Sequence, residues 1–432
     1  MGEIIIKRDR YLNQLVRKKN NGMIKIVTGL RRSGKSYLLF NLFYDYLREL
    51  GVDDNHIIKL PLDDDKYKKY RDPDNLSEYL YSNISEDVNT YYILLDEVQF
   101  AISNDEMKEK TPIRLYGILN GLARLKNVDI YITGSNSKFL SSDISTEFRG
   151  RGDEIRVNPL SFAEFFSVYK NGDKYDAWEE YATHGGMPQL VFFDSDEEKS
   201  KYLTDLFKKT YLKDIAERNN LRSNVILDNL VDILASSIGS LSNPSKIAAT
   251  FNSNGIKTTD KTISSYIDFL EDSFLVRKAK RYDIKGRKYI NSPLKYYFSD
   301  IGLRNARLNF RQQEPTHMME NVIYNELVMR GFNVDVGIVE HYARSNDGKQ
   351  QVKQLEVDFV CNQGSKRYYV QSAFSIPNDE KMQQEQASLD KIDDSFKKII
   401  VTQDHVKAWR NEKGYLIINI LDFLLNRDSL DL

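Results

Sequence analysis

Lys35 and Ser36 close the stretch Met23–Ser36, MIKIVTGLRRSGKS, in which Gly29, Gly34, Lys35 and Ser36 have the spacing G-x-x-x-x-G-K-S. A loop of this composition can curl its backbone N–H groups inward onto a phosphate, because glycine tolerates the conformations required. Gly29, Arg32, Ser33 and Gly34 are the loop positions expected to face it. The N-terminus of a following helix adds partial positive charge at the same point. Lys35 is placed to reach the terminal phosphates, and Ser36 to offer its hydroxyl to Mg²⁺. Further along, YYILLDEVQ (Tyr91–Gln99) delivers two adjacent acids. Asp96 has the type and position to hold the same Mg²⁺, and Glu97 to polarise the water that attacks the γ-phosphate of ATP. VDIYITGSN (Val128–Asn136) ends in small polar groups, of which Thr133, Ser135 or Asn136 could sense the γ-phosphate. Arg149 and Arg151 flank Gly150 in EFRGRG, and either could act as an arginine finger, in cis or across a subunit interface. The second arrangement would imply a homo-oligomer.

These groups need an α/β scaffold. Ile24, Ile26 and Val27 form a short apolar run with the character of a buried parallel strand, and Leu38, Leu39, Leu42 and Phe43 continue at helical spacing. Strands are expected at His56–Leu62, in the apolar run before Asp96, at Val128 onward and at Glu154–Val157. Ligands of such sheets lie at the carboxyl ends of the strands, which is where the acids fall. A basic helix, Lys7–Lys19 with Tyr11, Leu12 and Leu15 as its apolar stripe, is expected to pack beside this site, and Leu76–Ile84 reads as a further helix.

Composition limits the alternatives. With 432 residues the chain is long enough for two to four domains. It carries 62 Lys and Arg against 63 Asp and Glu, so contact with nucleic acid must come from a local patch rather than a global field. A single cysteine, Cys361, excludes an internal disulfide and fits a reducing cytoplasm. The first residues, MGEIIIKRDRYL, are charged too early for a signal peptide, and no apolar run is long enough to span a bilayer, so no membrane partner is expected.

From Ile24 to Pro159 the chain resembles the AAA+ branch of P-loop ATPases. GLRRSGKS, LDEVQ, ITGSN, the Gly150–Arg151 pair and NPLSFAEFF (Asn158–Phe166) recur together in uncharacterised bacterial and archaeal AAA+-type ATPases with an appended C-terminal domain of unknown function. HGGMP (His184–Pro188) and Lys213-Asp-Ile215 resemble that group as well, so the match extends over nearly the whole chain. It implies ATP and Mg²⁺ as ligands and ATP hydrolysis as the activity.

The expected organisation is a P-loop core at 1–159, a helical lid at 160–229, a winged helix-turn-helix at 230–305 and a restriction-endonuclease-like α/β domain at 306–432. Within the third segment, helices at Leu230–Ile238, after Asn243-Pro244 and at Thr258–Leu270 precede a hairpin over Arg277–Tyr297. The hairpin carries Arg277, Lys278, Lys280, Arg281, Lys285, Arg287, Lys288 and Lys295, a surface that could lie on a DNA backbone without reading sequence. Asp260, Asp268, Glu271 and Asp272 on the preceding helix oppose tight base readout, and a protein partner is the alternative. The last segment reads helix, strands (Val334–Val339, Leu355–Val360, Arg367–Phe374), helix (Glu380–Ile392) and strand (Lys398–Thr402). Its resemblance to the nuclease core implies acids at Glu320 or Glu326 and at Asp358, followed by E-x-K. Here Gln371 and Ala373 stand in those last positions, on a strand whose alternation aims both at one cleft. An amide is a weak ligand for a hard dication and alanine cannot polarise water, so the nuclease site is expected to be degenerate unless a lysine has migrated, with Lys381 as the candidate. An ATPase is therefore expected. The rival readings are a nucleotide-gated DNA- or protein-binding module with little turnover, and an ATP-dependent nuclease.

Overall fold

The strand Ile24–Gly29 (β1) is buried along its whole length, and its side chains divide by parity. Ile24 and Ile26 enter one apolar layer, together with Ile93, Leu95, Ile130 and Ile132. Val27 enters the layer on the opposite face, with Tyr92, Leu94, Tyr131, Ile155 and Val157. This is the two-sided burial of a parallel sheet, and each buried aliphatic side chain contributes about 1.5–3 kcal/mol. The computed structural model describes residues 4–85, 88–103, 106, 113–134, 148, 150–221, 224–312, 314–344 and 350–432. β1 joins Ile57–Pro61 (β2), Tyr91–Asp96 (β3), Val128–Thr133 (β4) and Gly152–Val157 (β5) in the order β2-β3-β4-β1-β5, with every pair parallel. The registers Val27↔Thr133 and Leu95↔Ile132 bring the ends of β1, β3 and β4 to one edge. The chain divides into two compact units, and this sheet with its helices occupies 1–159 and 272–274.

Lys25 is the exception in β1: fully buried, it is ion-paired with Asp129, which also accepts from Tyr131 Oη at 2.8 Å. Burial lowers the Lys25 pKa against the pull of Asp129.

The second unit holds 160–271 and 275–432. Helices at Phe162–Phe166, Lys174–His184, Asp196–Leu206 and Lys213–Arg218 occupy the segment read as a lid. Two of them start with a capping box, Ser161 with Glu164 and Ser195 with Glu198. Three more follow at Val225–Ser236, Pro244–Ser253 and Asp260–Asp272, the second capped by Asn243 through Lys246 N at 2.6 Å. Val276–Asp283 (β6) and Lys288–Phe298 (β7) form the hairpin, and Ser242 bridges to Leu294. Asn333–Arg344 (β8), Gln350–Gln363 (β9), Lys366–Ala373 (β10), Lys397–Thr402 (β11), Trp409–Arg410 (β12) and Leu416–Asn419 (β13) complete an eight-stranded sheet in the order β12-β13-β11-β10-β9-β8-β6-β7.

The hairpin is thus continuous with the C-terminal sheet: Arg281–Asp283 pairs in parallel with Val336–Ile338. Backbone hydrogen bonds cross the boundary drawn at 305/306, and 229/230 and 305/306 do not separate compact units. β12, β13 and the short helices Ile301–Arg307 and Ile420–Leu425 are additions to the expected elements, and the helix expected over 380–392 is Asp379–Gln386 followed by a single tight turn, Leu389–Lys391.

The HGG motif has a structural explanation. A Cβ on Gly185 would lie 2.4 Å from Asp300 Oδ1, one on Gly186 2.2 Å from Leu160 O, and one on Gly302 1.7 Å from His184 O. Asp300, buried between these backbones, accepts from Gly186 N at 2.7 Å and Leu303 N at 3.0 Å. Replacing one of its oxygens by an amide nitrogen sets donor against donor, so Asp300→Asn should destabilise the protein by about 1–3 kcal/mol in chemical denaturation. Burial raises the Asp300 pKa to about 6, against backbone N–H groups that favour the charge. The folded chain therefore takes up the proton before the unfolded chain does, and this residue's contribution to stability rises as pH falls through about 6 toward about 4. Asparagine cannot titrate, so the gap between parent and variant should widen from about pH 7 to about pH 5; a gap that narrows would contradict the assignment.

Candidate functional site

The turn that ends β1 is built for close approach. Gly29 has φ +135° and pairs with Val157, whose carbonyl oxygen would stand 2.0 Å from any Cβ placed there. Arg32 (φ +64°) and Gly34 (φ +94°) are both left-handed, which curls the loop before helical structure begins at Lys35. Buried Arg8 clamps the loop from below, donating to Ser33 O at 3.0 Å and Asn158 O at 2.6 Å. Asn158 N and Nδ2 each donate to Tyr11 Oη at 3.2 Å. Helix Asp9–Arg17 thus carries Tyr11 to the loop's support, with Arg8 at its start. Sequence reasoning expected this helix beside the site, with Tyr11 in its apolar stripe, but did not single out Arg8 or the Tyr11 hydroxyl; Asn158, the first residue of NPLSF, was the available signal.

Lys35 is 3% exposed, and its ammonium donates to Gly29 O at 3.1 Å and Leu30 O at 3.2 Å, inside the turn of the loop. Ser36, next along the helix, is exposed. At the end of β3, buried Asp96 accepts a short hydrogen bond from Thr133 Oγ1, and the same Thr133 oxygen accepts from Glu97 N at 3.0 Å. Glu97 is left-handed (φ +50°), and its Oε2 accepts from Gln99 Nε2. A carboxylate-bearing residue held there marks strain of the kind functional sites store. Burial raises the Asp96 pKa, opposed by hydrogen bonds from Thr133 and Ser36. A carboxylate short of compensating charge, with a serine hydroxyl on it, fits a Mg²⁺ ion, which uses few protein ligands. Among the described residues no group of three or more His, Cys, Asp or Glu is arranged to hold a metal, in keeping with so sparse a site.

The structure therefore brings Gly29, Arg32, Ser33, Gly34, Lys35, Ser36, Asp96, Glu97 and Thr133 to one edge of the sheet. The Thr133 hydroxyl donates to Asp96. Ser135, Asn136 and Arg149 lie outside the described residues. Arg151 lies at the other end of the sheet, where Ile24 N donates to its carbonyl at 2.8 Å. Ile24 precedes Gly29 by five residues, about 16 Å at about 3.3 Å per residue. A finger acting in cis from Arg151 is incompatible with that distance.

The second unit has its own charged cluster. Lys295 on β7, 5% exposed, sits 2.9 Å from Glu320 Oε1, 2.6 Å from Glu356 Oε1 and 3.9 Å from Asp358 Oδ1. Tyr297 Oη donates to Glu320 at 2.6 Å, and Ser372 N to Asp358 at 2.8 Å. Burial works against the Lys295 charge, but the three carboxylates outweigh it and raise its pKa. Asp358 is pushed up by burial and by Glu320, whereas Lys295 keeps Glu320 ionised. The sequence reading had placed Lys295 on an outward basic surface. In fact Arg277, Arg281 and Lys295 are buried and Lys278 pairs with Asp268 and Glu271, so Lys280, Lys285, Arg287 and Lys288 are the exposed cations of the hairpin. The acids that seemed to oppose DNA are in part the partners of Lys278.

The expected nuclease positions divide. Asp358 and Glu320 meet at Lys295, and Gln371 Oε1 accepts from Asp358 N at 3.4 Å. Ala373 instead belongs to an apolar cluster with Tyr369, Val357, Leu389 and Ile400. Glu326 pairs with Arg330 at 2.8 Å, and Lys381 with Glu385 at 2.6 Å, so neither joins the cluster. No helix among the described residues is long and apolar enough to cross a membrane.

The chain is similar to several known proteins. Residues 21–166 match the family model described as "AAA domain", and residues 175–314 match "Domain of unknown function (DUF8612)". An uncharacterized protein of Haemophilus influenzae is 34% identical over 98% of this chain and 100% of its own length. An uncharacterized protein of Methanocaldococcus jannaschii is 26% identical over 96% of this chain and 89% of its own. Among solved structures, that of Aeropyrum pernix ORC1 in complex with DNA is 12% identical, with a TM-score of 0.32, over 71% of this chain and 93% of that one.

Proposed function

We infer a function from one premise: the chain belongs to the family of AAA-domain proteins, with members in bacteria and archaea, that includes its Haemophilus influenzae relative. It binds MgATP at the loop ending in Lys35 and Ser36, hydrolyses it, and uses the cycle to drive or switch its C-terminal unit. The observation that carries this reading is the chain Asp96–Thr133–Glu97 beside the Lys35 loop, in which one threonine hydroxyl binds the Asp96 carboxylate and the Glu97 backbone N–H. Lys35 exchanges the carbonyls of Gly29 and Leu30 for phosphate oxygens, and the loop N–H groups orient the terminal phosphate. Ser36 and Asp96 would hold Mg²⁺, which supplies charge neutralisation across the phosphates. Glu97 takes a proton from water as its oxygen bonds to the γ-phosphorus and the bond to the ADP oxygen breaks. Thr133 and Gln99 position Glu97 for that transfer.

Glu97→Gln should retain ATP binding while turnover falls about a hundredfold or more, measured by calorimetry and phosphate release. Turnover at the parental rate would assign the water to another residue. Arg151 is read as a finger acting in trans, in an oligomer: Arg151→Ala should slow turnover without weakening ATP binding, and unchanged turnover would remove that role.

The helices 160–229 are read as a lid, the three helices with the β6–β7 hairpin as a winged module, and the rest of the sheet as a nuclease-like fold with lost chemistry. Incubation with DNA and Mg²⁺ or Mn²⁺ should give no cleavage dependent on Asp358.

A further inference from the structure

The turn between β6 and β7, the turn between β9 and β10 and the segment before β11 enclose a cleft of about 570 Å³ on the second unit. Its cations are Lys285, Arg287, Lys366 and Arg367, against Asp393 and Asp394. Two of the four are committed: Lys366 lies 2.9 Å from Asp431, and Arg367 Nε donates to Asn362 Oδ1 at 2.8 Å. Lys285 is a loose 4.0 Å from Asp393, and Arg287 makes no ion pair among the described residues.

The turn is shaped to present Arg287. Asp283 accepts from Gly286 N at 2.9 Å, and its carboxylate oxygen would stand 2.1 Å from a Cβ at Gly286. The next residue, Arg287, is forced into a left-handed conformation at φ +51° and is exposed. The opposite wall is aromatic. The Arg367 guanidinium lies 5.8 Å from the Tyr282 ring centroid and 5.3 Å from that of Phe396, and Phe396 is 39% exposed. An exposed arginine and a loosely paired lysine beside a partly exposed aromatic ring match a phosphate joined to a planar base, which electrostatics and stacking hold independently of sequence.

We propose that this cleft binds a phosphate-and-base unit of nucleic acid or nucleotide, with Arg287 and Lys285 on the phosphate and the base against Phe396. The proposal rests on the reading of the C-terminal unit as a binding module, and not on turnover at Lys35. The source is a single strand or a free nucleotide, and two probes separate them: fluorescein-labelled oligothymidylate, and uridine monophosphate.

Full-length protein is titrated with each probe by anisotropy and calorimetry, and the variants Arg287→Glu and Phe396→Ala are compared with it. Both side chains are exposed, and melting curves verify their folding. If the source is a single strand, oligothymidylate binds, each substitution weakens it about tenfold, and Arg287→Glu lowers the salt slope by about one. If the source is a free nucleotide, uridine monophosphate binds with the same sensitivity and chain length adds nothing. Binding of neither probe, or binding indifferent to both substitutions, overturns the site. Phosphate release is followed in parallel: oligonucleotide binding lost with turnover intact bears on this cleft alone, whereas lost turnover with binding intact bears on the ATPase reading alone.

Discussion

Lys35→Ala should lose ATP affinity by about a hundredfold or more, read by calorimetry in the presence of Mg²⁺. Its ammonium is almost fully enclosed and already lies within the curl of the loop, on Gly29 O and Leu30 O. Each charge-assisted hydrogen bond to phosphate is worth about 1.5–3 kcal/mol, and the loop offers no second cation at that depth to replace it. Arg32, the other basic loop residue assigned to the site, is exposed. Affinity within about threefold of the parent would show that the phosphates sit elsewhere.

The second large effect is on stability. Lys295→Met should cost about 3–5 kcal/mol, because it leaves buried Glu320 and Asp358, with partly exposed Glu356 beside them, without their countercharge. The loss should depend on pH with a definite sign. Without the lysine, buried carboxylates have folded-state pKa values above their unfolded ones, so the variant recovers stability as pH falls and loses it as pH rises. Denaturation at about pH 5 and about pH 8 tests this, and a variant as stable as the parent at the higher pH would show that the cluster does not depend on Lys295. On the proposed reading of this sheet as a nuclease-like fold, the same cluster would account for the lost chemistry. A resident ammonium occupies the space between acids that a dication would need.

The contrast between the two units shows what can be read from a sequence. The phosphate loop and Asp96–Glu97 were legible because strand, turn and helix signals are contiguous there, and each residue type has one chemical task. Four of the five strands of the first sheet were legible from apolar runs for the same reason, and the fifth, Gly152–Val157, is more polar. Lys25 and Lys295 were not, since a buried lysine in a strand looks the same as an exposed one until its partner is known, and Asp129 and Glu320 are far away in the chain. The outward surface assigned to the hairpin failed on this point. Alternation along β6 and β7 gave the strands but not which face would be covered, because the helix Pro315–Met329 that meets Lys295 and Tyr297 on β7 lies further along the chain. The place of Arg151 was hidden likewise: an arginine beside a glycine says nothing about which end of a sheet it occupies, and only the pairing of β5 with β1 decides it. The HGG motif carried a family resemblance without revealing that its glycines pack against Asp300.

The central claim is that the Lys35 site hydrolyses MgATP. Steady-state phosphate release by the purified full-length chain, with Mg²⁺ and with the metal chelated, tests it most directly. The account predicts continuous, Mg²⁺-dependent release that is lost in Glu97→Gln while ATP still binds. Tight ATP binding with no release beyond one equivalent per chain would contradict it.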